Sequence, residues 1–484
     1  MMKLIDILKN TDYRVVQGNN AIETTGMTAS SREVKKGFVF FALKGVKADG
    51  HQFIPDAIKA GAAAIVCLNI PEVIPENITV VVTKNNNETY AQAAANWHGN
   101  PSSQLDLIGV TGTNGKTTTA TLLYELFNKS SIKSGLISTI RYIVPGKEYP
   151  ATHTTPDAMV LNRMLREMAD ADCEYCFMEV SSHAVVQGRI HGLKFKGGIF
   201  TNLTHDHLDY HGTFAEYLKA KQLFFDHLPQ SAFALYNDDD VNGKVMVQHS
   251  KAKCFSYALN RPADFKTKII HNAITGLGLS INGTEAWFKL VGRFNAYNLT
   301  AIFATATLCG MQKEEILVTL SSLGEVEGRF NVIRSESGIT GVVDYAHTPD
   351  ALKNVLSTIE EVNEGSGDII TVAGAGGDRD KSKRPLMGQM MARYSQKVII
   401  TSDNPRTEDP DTIINEIRNG IDASEMKKVI CITDRREAIK TACLLAKKGD
   451  IILVAGKGHE TYQEINGVRN HFNDAEQLNE FLKI

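Results

Sequence analysis

Gly112-Thr113-Asn114-Gly115-Lys116-Thr117 follows the apolar run Leu105–Val110 and opens the helical pattern Thr117–Phe127. A strand, a glycine turn and a helix N-terminus in that order make an anion site. Backbone N–H groups converge there, and the helix dipole favours negative charge. Lys116 adds a point charge beside a transferred phosphate, and the Thr117 hydroxyl suits a magnesium ligand. The usual phosphate loop has a glycine five positions before its second glycine, and here that position is Val110. The loop is a variant, so its strand-turn-helix context, rather than Gly-Lys-Thr alone, predicts phosphate binding.

Working outward, further strands are expected at Tyr175–Val180, Gly197–Leu203 and Ala232–Tyr236. Strands alternating with helices imply a parallel sheet covered on both faces. Upstream, Val39–Leu43, Ala62–Cys67 and Val80–Val82 mark a small α/β domain, and the polar stretch His98–Ser103 reads as a linker. Downstream, Gly341–Tyr345, Ile369–Ala373, Lys397–Thr401, Val429–Ile432 and Ile451–Val454 form a second strand-helix series. Polar motifs fall at the carboxyl ends of those strands, where such sheets bind ligands. The expected fold is α/β in three domains: a small N-terminal domain (1–102), a central P-loop-type parallel sheet (103–330) and a Rossmann-like C-terminal domain (331–484).

The 484 residues are 43% hydrophobic and 22% charged, with a net charge of -3, so bulk electrostatics call for neither nucleic acid nor an anionic membrane. Seven irregularly spaced cysteines are no disulfide framework and fit a reducing cytosol. Cys173 and Cys176 form a CxxC with nothing to complete a zinc site, and read as a buried strand-edge pair. With no signal peptide and no long apolar span, a cytoplasmic protein is expected, acting on small-molecule substrates as a monomer.

Three groups in the central domain carry chemistry. Glu179 ends an apolar strand, where a carboxylate can hold a metal beside nucleotide phosphates or simply cap a helix. Three histidines in seven residues, His205, His207 and His211, read either as a metal site or as hydrogen-bond donors on a polar loop; the spacing fits no standard zinc pattern. Lys221 is, by pattern alone, one lysine of several on a solvated helix face.

Thr111 to Thr118, Glu179-Val180-Ser181-Ser182-His183, Asp206-His207-Leu208-Asp209, Asp344 to Pro349 and Gly376 to Lys381 together resemble the Mur ligases, the amino-acid-adding enzymes of bacterial peptidoglycan synthesis. The resemblance covers essentially the whole chain, in order. It implies that a substrate carboxylate attacks the γ-phosphate of ATP, and that an amine then displaces phosphate from the acyl phosphate. It assigns Gly112, Thr113, Asn114, Gly115, Lys116, Thr117 and Thr118 to ATP, with Asn295 and Asn298 near the adenine and Arg329 and Asp344 as further contacts, His347 close by. Lys116, Glu179, His207 and Lys221 become catalytic. Mg2+ ligands are Thr117, Glu179, His207 and Lys221, the last as N6-carboxylysine, a carbamate made with carbon dioxide. That modification needs a neutral amine, so a lowered lysine pKa is expected.

For the nucleotide-sugar peptide, Ser31, Val46, Lys47 and Ala48 match uridine-end positions of the N-terminal domain. His153, Thr154, Thr155, Ser181, Gln187 and Arg189 match those that bind the muramoyl dipeptide. Asp403-Asn404-Pro405-Arg406 resembles the signature of ligases that add meso-diaminopimelate. That amino acid differs from lysine by a second carboxylate, which Arg406 can clamp with its two-pronged guanidinium. Arg379, Gly456 and Glu460 match further contacts. The implied reaction joins meso-diaminopimelate to the γ-carboxylate of UDP-N-acetylmuramoyl-L-alanyl-D-glutamate, with L-lysine as the alternative acceptor. Folate-type ligases would lack the N-terminal domain and the Asp-Asn-Pro-Arg string. A scaffold that has lost catalysis would lack Lys116, Glu179 or Lys221, and a P-loop kinase would keep the standard first glycine.

Overall fold

The computed structural model describes residues 1–483 except 46, 47, 205, 207 and 364–366, and only the backbone of residues 208 and 209. Three sheets organise the chain. The largest has eleven strands in the order 147–150, 141–144, 134–137, 175–179, 106–111, 195–200, 233–237, 253–258, 265–273, 276–281, 284–288. Seven of them, from Ser134–Ile137 across to Phe265–Ala273, run parallel. The strand Asp106–Thr111 lies inside this set, with Leu107, Ile108 and Val110 fully buried, as a two-sided parallel strand requires. One face packs on the helices Lys116–Lys129 and Arg293–Leu308, through Leu122, Leu126, Leu299 and Ile302. The other packs on Ala158–Asp170 and Phe214–Asp226, through Leu161, Leu165 and Phe224.

The α/β expectation holds, with one correction: the central sheet is not parallel throughout. Antiparallel hairpins close both edges, at Arg141–Val144 with Lys147–Pro150 and at Gly276–Ile281 with Thr284–Phe288. The second turns at Asn282-Gly283, whose φ angles of 44° and 82° are what a two-residue hairpin turn demands. His98–Ser103 is also no loose connection. Pro101 and Ser102 are buried, and Ser102 Oγ accepts the Lys194 N–H at 3.1 Å.

The N-terminal sheet has five strands in the order 13–17, 79–83, 64–67, 38–41, 26–28. The C-terminal sheet has six: 331–334, 340–344, 451–455, 369–373, 397–400, 429–431. Only its first strand is antiparallel to its neighbour. The parallel strands' carboxyl ends put Asp344, Asp403 and Gly456 on one edge of the domain.

A buried ion pair holds that edge. The Arg435 and Asp474 side chains are fully buried and joined by two bonds of 2.8 and 2.7 Å, and Arg435 also donates to the carbonyls of Ala455 and Ser402. Removing one partner strands a buried charge, so Asp474→Ala should cost roughly 3–5 kcal/mol in urea unfolding, whereas the paired change Arg435→Met with Asp474→Leu should cost much less. Equal losses in both variants would contradict this.

Candidate active site

Val110 is fully buried and paired with Glu179 and Ile199 on the neighbouring strands. It is the last core residue of its strand, which explains why no glycine is needed there. The turn begins at Gly112, at φ 145°, where an added Cβ would lie 1.9 Å from Thr201 Oγ1. That close approach lets the segment after the adjacent strand clamp the loop. Thr113 N–H donates to Asn202 O at 2.8 Å and Asn114 N–H to Asn202 Oδ1 at 2.9 Å, while Thr201 Oγ1 donates to Asn114 O at 2.6 Å.

Two lysines meet on one carbonyl of this loop. Lys116 Nζ donates to Gly112 O at 3.0 Å and to Thr113 O at 2.7 Å, and Lys221 Nζ donates to the same Gly112 O at 2.8 Å. Lys221 is 1% exposed, so the solvated-face alternative is excluded. Its amine lies 4.8 Å from the ring centroid of Tyr217, one helical turn earlier, whose hydroxyl is 3.1 Å from Thr113 Oγ1. Burial first, then the Lys116 charge, pushes the Lys221 pKa well below the ordinary lysine value, against the pull of Asp206. Lys116 is also lowered, by desolvation, with Glu179 and Asp206 opposing.

Glu179 is fully buried at its strand end, where its carboxylate accepts the Thr139 N–H at 2.7 Å and the Thr139 hydroxyl at 3.1 Å. Thr154 Oγ1 lies 3.1 Å from the same Thr139 hydroxyl. Thr155 Oγ1 donates to Glu179 O at 2.8 Å and accepts the Ser181 N–H. Arg189 donates to Thr155 O at 2.7 Å and twice to Gln187 Oε1. Thr154, Thr155, Ser181, Gln187 and Arg189 thus form one bonded wall beside Glu179, while the His153 side chain is exposed.

A cavity of about 520 Å³ opens over the loop. Thr113, Asn114, Gly115, Lys116, Thr117, Thr118, Thr154, Glu179, Asn298, Arg329, Asp344 and His347 line it. Asn295 does not; it sits behind Asn298, accepting the Asn298 amide at 3.0 Å and donating to Val291 O. Arg329 joins the domains. It donates to Thr117 Oγ1 at 3.1 Å and lies 4.4 Å from the Tyr345 ring centroid, and beside it Asp344 accepts the N–H groups of Phe330 and Ala346. Burial raises the Asp344 pKa, with Arg329 opposing, and burial lowers that of His347.

Thr117, Glu179 and Asp206 bring hard oxygen donors to this cavity, the chemistry magnesium takes beside phosphate oxygens. Among the described residues, no cluster of three or more His, Cys, Asp or Glu side chains is arranged to hold a metal. His207 lies outside the described residues, as do Val46 and Lys47. Ser31 and Ala48 belong to the N-terminal domain, the first half-buried and the second exposed, and neither lines the cavity.

A second cluster lies at the strand ends of the C-terminal sheet. Asn404 Nδ2 donates to Glu460 Oε2 at 2.8 Å, and buried Lys457 donates to Asn404 Oδ1 and Glu460 Oε2, both at 3.1 Å. Burial raises the Glu460 pKa, and Lys457 opposes it. A Cβ on Gly456 would lie 2.5 Å from Asp403 Oδ2. Arg406 follows Pro405, with its N–H on Glu464 O at 3.1 Å, its carbonyl accepting the Asn466 N–H at 2.7 Å, and Nη1 on Gly377 O at 2.6 Å. Asp403, Asn404, Pro405, Arg406, Gly456 and Glu460 are therefore one assembly, with Arg379 exposed on the adjoining loop. Sequence reasoning assigned nothing to Thr139, Asn202, Asp206 or Lys457. Asp206 and Lys457 sat inside quoted motifs, but Thr139 and Asn202 carried no local signal.

The sheet that carries the glycine loop is bridged by Arg329 to a second sheet with its own polar cluster. Family models match residues 23–103 (Mur ligase family, catalytic domain), 110–306 (Mur ligase middle domain) and 328–458 (Mur ligase, glutamate ligase domain). The chain belongs to the Mur ligase family. It is 52% identical over 482 residues, 99% of both chains, to the UDP-N-acetylmuramoyl-L-alanyl-D-glutamate–2,6-diaminopimelate ligase of Cytophaga hutchinsonii. It is 53% identical over 481 residues to the ligase of the same name from Bacteroides thetaiotaomicron, covering 99% of this chain and 100% of that one. A solved structure with that name superposes at TM-score 0.70 with 32% identity, over 99% of this chain and 98% of the other. A MurF ligase from Thermotoga maritima in complex with ADP shares the fold, at TM-score 0.64 and 21% identity over 95% and 97% of the two chains.

The Gly112 geometry makes a direct prediction. Gly112→Ala puts a methyl into Thr201, so nucleotide affinity by calorimetry should fall at least about tenfold, or ~1.4 kcal/mol. Unchanged affinity would mean that the loop does not need this approach.

Proposed function

We propose that this chain is the ATP-dependent ligase that joins meso-2,6-diaminopimelate to the γ-carboxylate of UDP-N-acetylmuramoyl-L-alanyl-D-glutamate, releasing ADP and phosphate, in peptidoglycan precursor synthesis. The full-length relatives of that name support the reaction. The observation that carries its geometry is the Arg329 bridge, which sets a phosphate loop against the domain holding the Arg406 cluster.

A carboxylate is a poor acyl donor until one of its oxygens becomes part of a good leaving group. The glutamyl γ-carboxylate oxygen attacks the γ-phosphorus, the bond to the bridging oxygen breaks, and ADP leaves. The amine then attacks the acyl carbon, loses a proton, and expels phosphate. The first step brings two anions together, so positive charge must be positioned in advance. Lys116 and Arg329, both lining the cavity, supply it. Thr117 and Glu179 would hold magnesium, with His207 for a second ion, and the metal would supply further charge neutralisation on the phosphate oxygens. Thr139 fixes the Glu179 carboxylate, and the wall from Thr154 to Arg189 receives the dipeptide.

Lys221 is a carbamate site in this reading. Its buried amine is held toward the neutral form, which is the form that adds carbon dioxide and loses a proton to give an anionic carbamate. That anion would offset Lys116. Arg406 and Arg379 receive the distal carboxylate of diaminopimelate, and Glu460 its distal ammonium. The ligase works as a monomer in the cytoplasm. No helix among the described residues is long and apolar enough to cross a membrane, and the seven cysteines are all free, as a reducing compartment allows.

With ATP, magnesium and the muramoyl dipeptide present, phosphate release should require an amino acid, and meso-diaminopimelate should far outperform L-lysine. Equal or better turnover with lysine would sink the acceptor assignment. Lys221→Ala should lose most activity and regain part of it with added short carboxylates; activity like the wild type would refute the carbamate role.

A further inference from the structure

Arg384 plays no part in the chemistry above, yet it is fully buried, a costly position for a guanidinium unless its charge is paired. Its Nη1 and Nη2 make a two-pronged bond to Glu408, both at 3.0 Å, and Nη1 also meets Glu416 at 2.6 Å. Nη2 donates to the Gly376 carbonyl at 3.1 Å. Glu408 then accepts the Asp378 N–H at 2.6 Å, and Lys381 Nζ lies 3.0 Å from its other oxygen. One ion pair thus holds the loop of Arg379 at Gly376, Asp378 and Lys381.

The facing loop carries Arg406 and ends at Glu408 itself. The two loops interlock directly: Gly377 N–H donates to Asn404 O at 2.9 Å, Arg406 Nη1 to Gly377 O at 2.6 Å, and the Thr407 hydroxyl to Asp378 at 2.8 Å. There is no room to slide, since a Cβ on Gly377 would lie 1.9 Å from Pro405 O. Asp378 and Arg406 also both hold left-handed backbones, with φ of 54° and 53°. Residues with side chains leave that region unless the surroundings fix them there. Two such residues, facing each other, mark a geometry that is imposed.

We propose that Arg384 and Glu408 are positioning residues for the acceptor amino acid: their buried ion pair sets the separation of the loops of Arg379 and Arg406, and so the cradle for the acceptor's distal carboxylate. This rests on the preceding assignment of Arg406 and Arg379 to that carboxylate. Packing alone does not call for such a pair, because well-fitted apolar side chains would hold two loops together as well or better. A guanidinium fork offers direction instead, fixing both carboxylate oxygens and a carbonyl in one plane. Arg384 also holds the Glu408 carboxyl down at about 2, so the brace stays charged at any pH where the enzyme works.

The test is steady-state kinetics of the full-length protein, with each substrate varied in turn while the other two are saturating. Glu408→Gln keeps the shape and loses the charge. It should raise KM for meso-diaminopimelate between about tenfold and a hundredfold, the scale of a small misplacement of binding groups, and leave KM for ATP and for the muramoyl dipeptide unchanged. Arg384→Lys keeps the charge and loses the fork, and should show the same split; if it does not accumulate as folded protein, Glu408→Gln decides alone. Added to Arg406→Ala, Glu408→Gln should cost little more, because its effect runs through Arg406. An unchanged acceptor KM, equal rises in all three KM values, or full additivity with Arg406→Ala would each overturn the proposal. The wild-type acceptor profile from the same assay tests the function itself, and the KM split is read on whichever amino acid the wild type joins.

Discussion

The carbonyl of Gly112 takes hydrogen bonds from two lysine amines in a site largely closed to water. Two ammonium groups cannot share such a place at full charge without anions nearby, because desolvation and mutual repulsion act in the same direction. Lys221 gives way most, being fully enclosed, while Lys116 faces the cavity. This one contact sets the character of the whole site. It gives a reason for Glu179 and Asp206 to stand close by. It also depends on the clamp of Thr201 and Asn202 on the loop, and hence on the bare Cα of Gly112.

The proposed reaction divides activation from acceptance between two sheets. The loop, Glu179 and the wall from Thr154 to Arg189 belong to the central sheet, and the cluster from Asp403 to Arg406 to the C-terminal sheet. Arg329, bonded to Thr117 and stacked on Tyr345, ties the two together. Both clusters lie at the carboxyl ends of parallel strands, as expected of open α/β sheets. The C-terminal cluster carries its own scaffolding of buried charge, in Arg384 with Glu408 and Arg435 with Asp474.

Much of this was legible in the sequence. The buried strands read correctly because their apolar runs are unbroken, and the turn from Gly112 to Gly115 does lie between a strand and a helix. Val110 was a puzzle only until its place in the sheet was known. What stayed hidden was set by contacts between distant residues. Lys221 is one of three lysines or glutamines in a short helical stretch, and only tertiary packing buries it. Thr139 meets Glu179 from 40 positions away, and Arg329 meets Thr117 from 212. The edge hairpin turns on Asn282-Gly283, a local signal that the sequence reading passed over. Arg384 carries no signal of its own within a run of charged residues, and only tertiary packing buries it.

The central claim is that the γ-phosphate passes to a substrate carboxylate before the amide forms. The most direct measurement uses the muramoyl dipeptide with oxygen-18 in both oxygens of its glutamyl γ-carboxylate, followed through one complete ligation. The account predicts that each released phosphate carries a single labelled oxygen, with the other label retained in the new amide. Phosphate without label would mean that the carboxylate oxygen never bonded to phosphorus, and would contradict it.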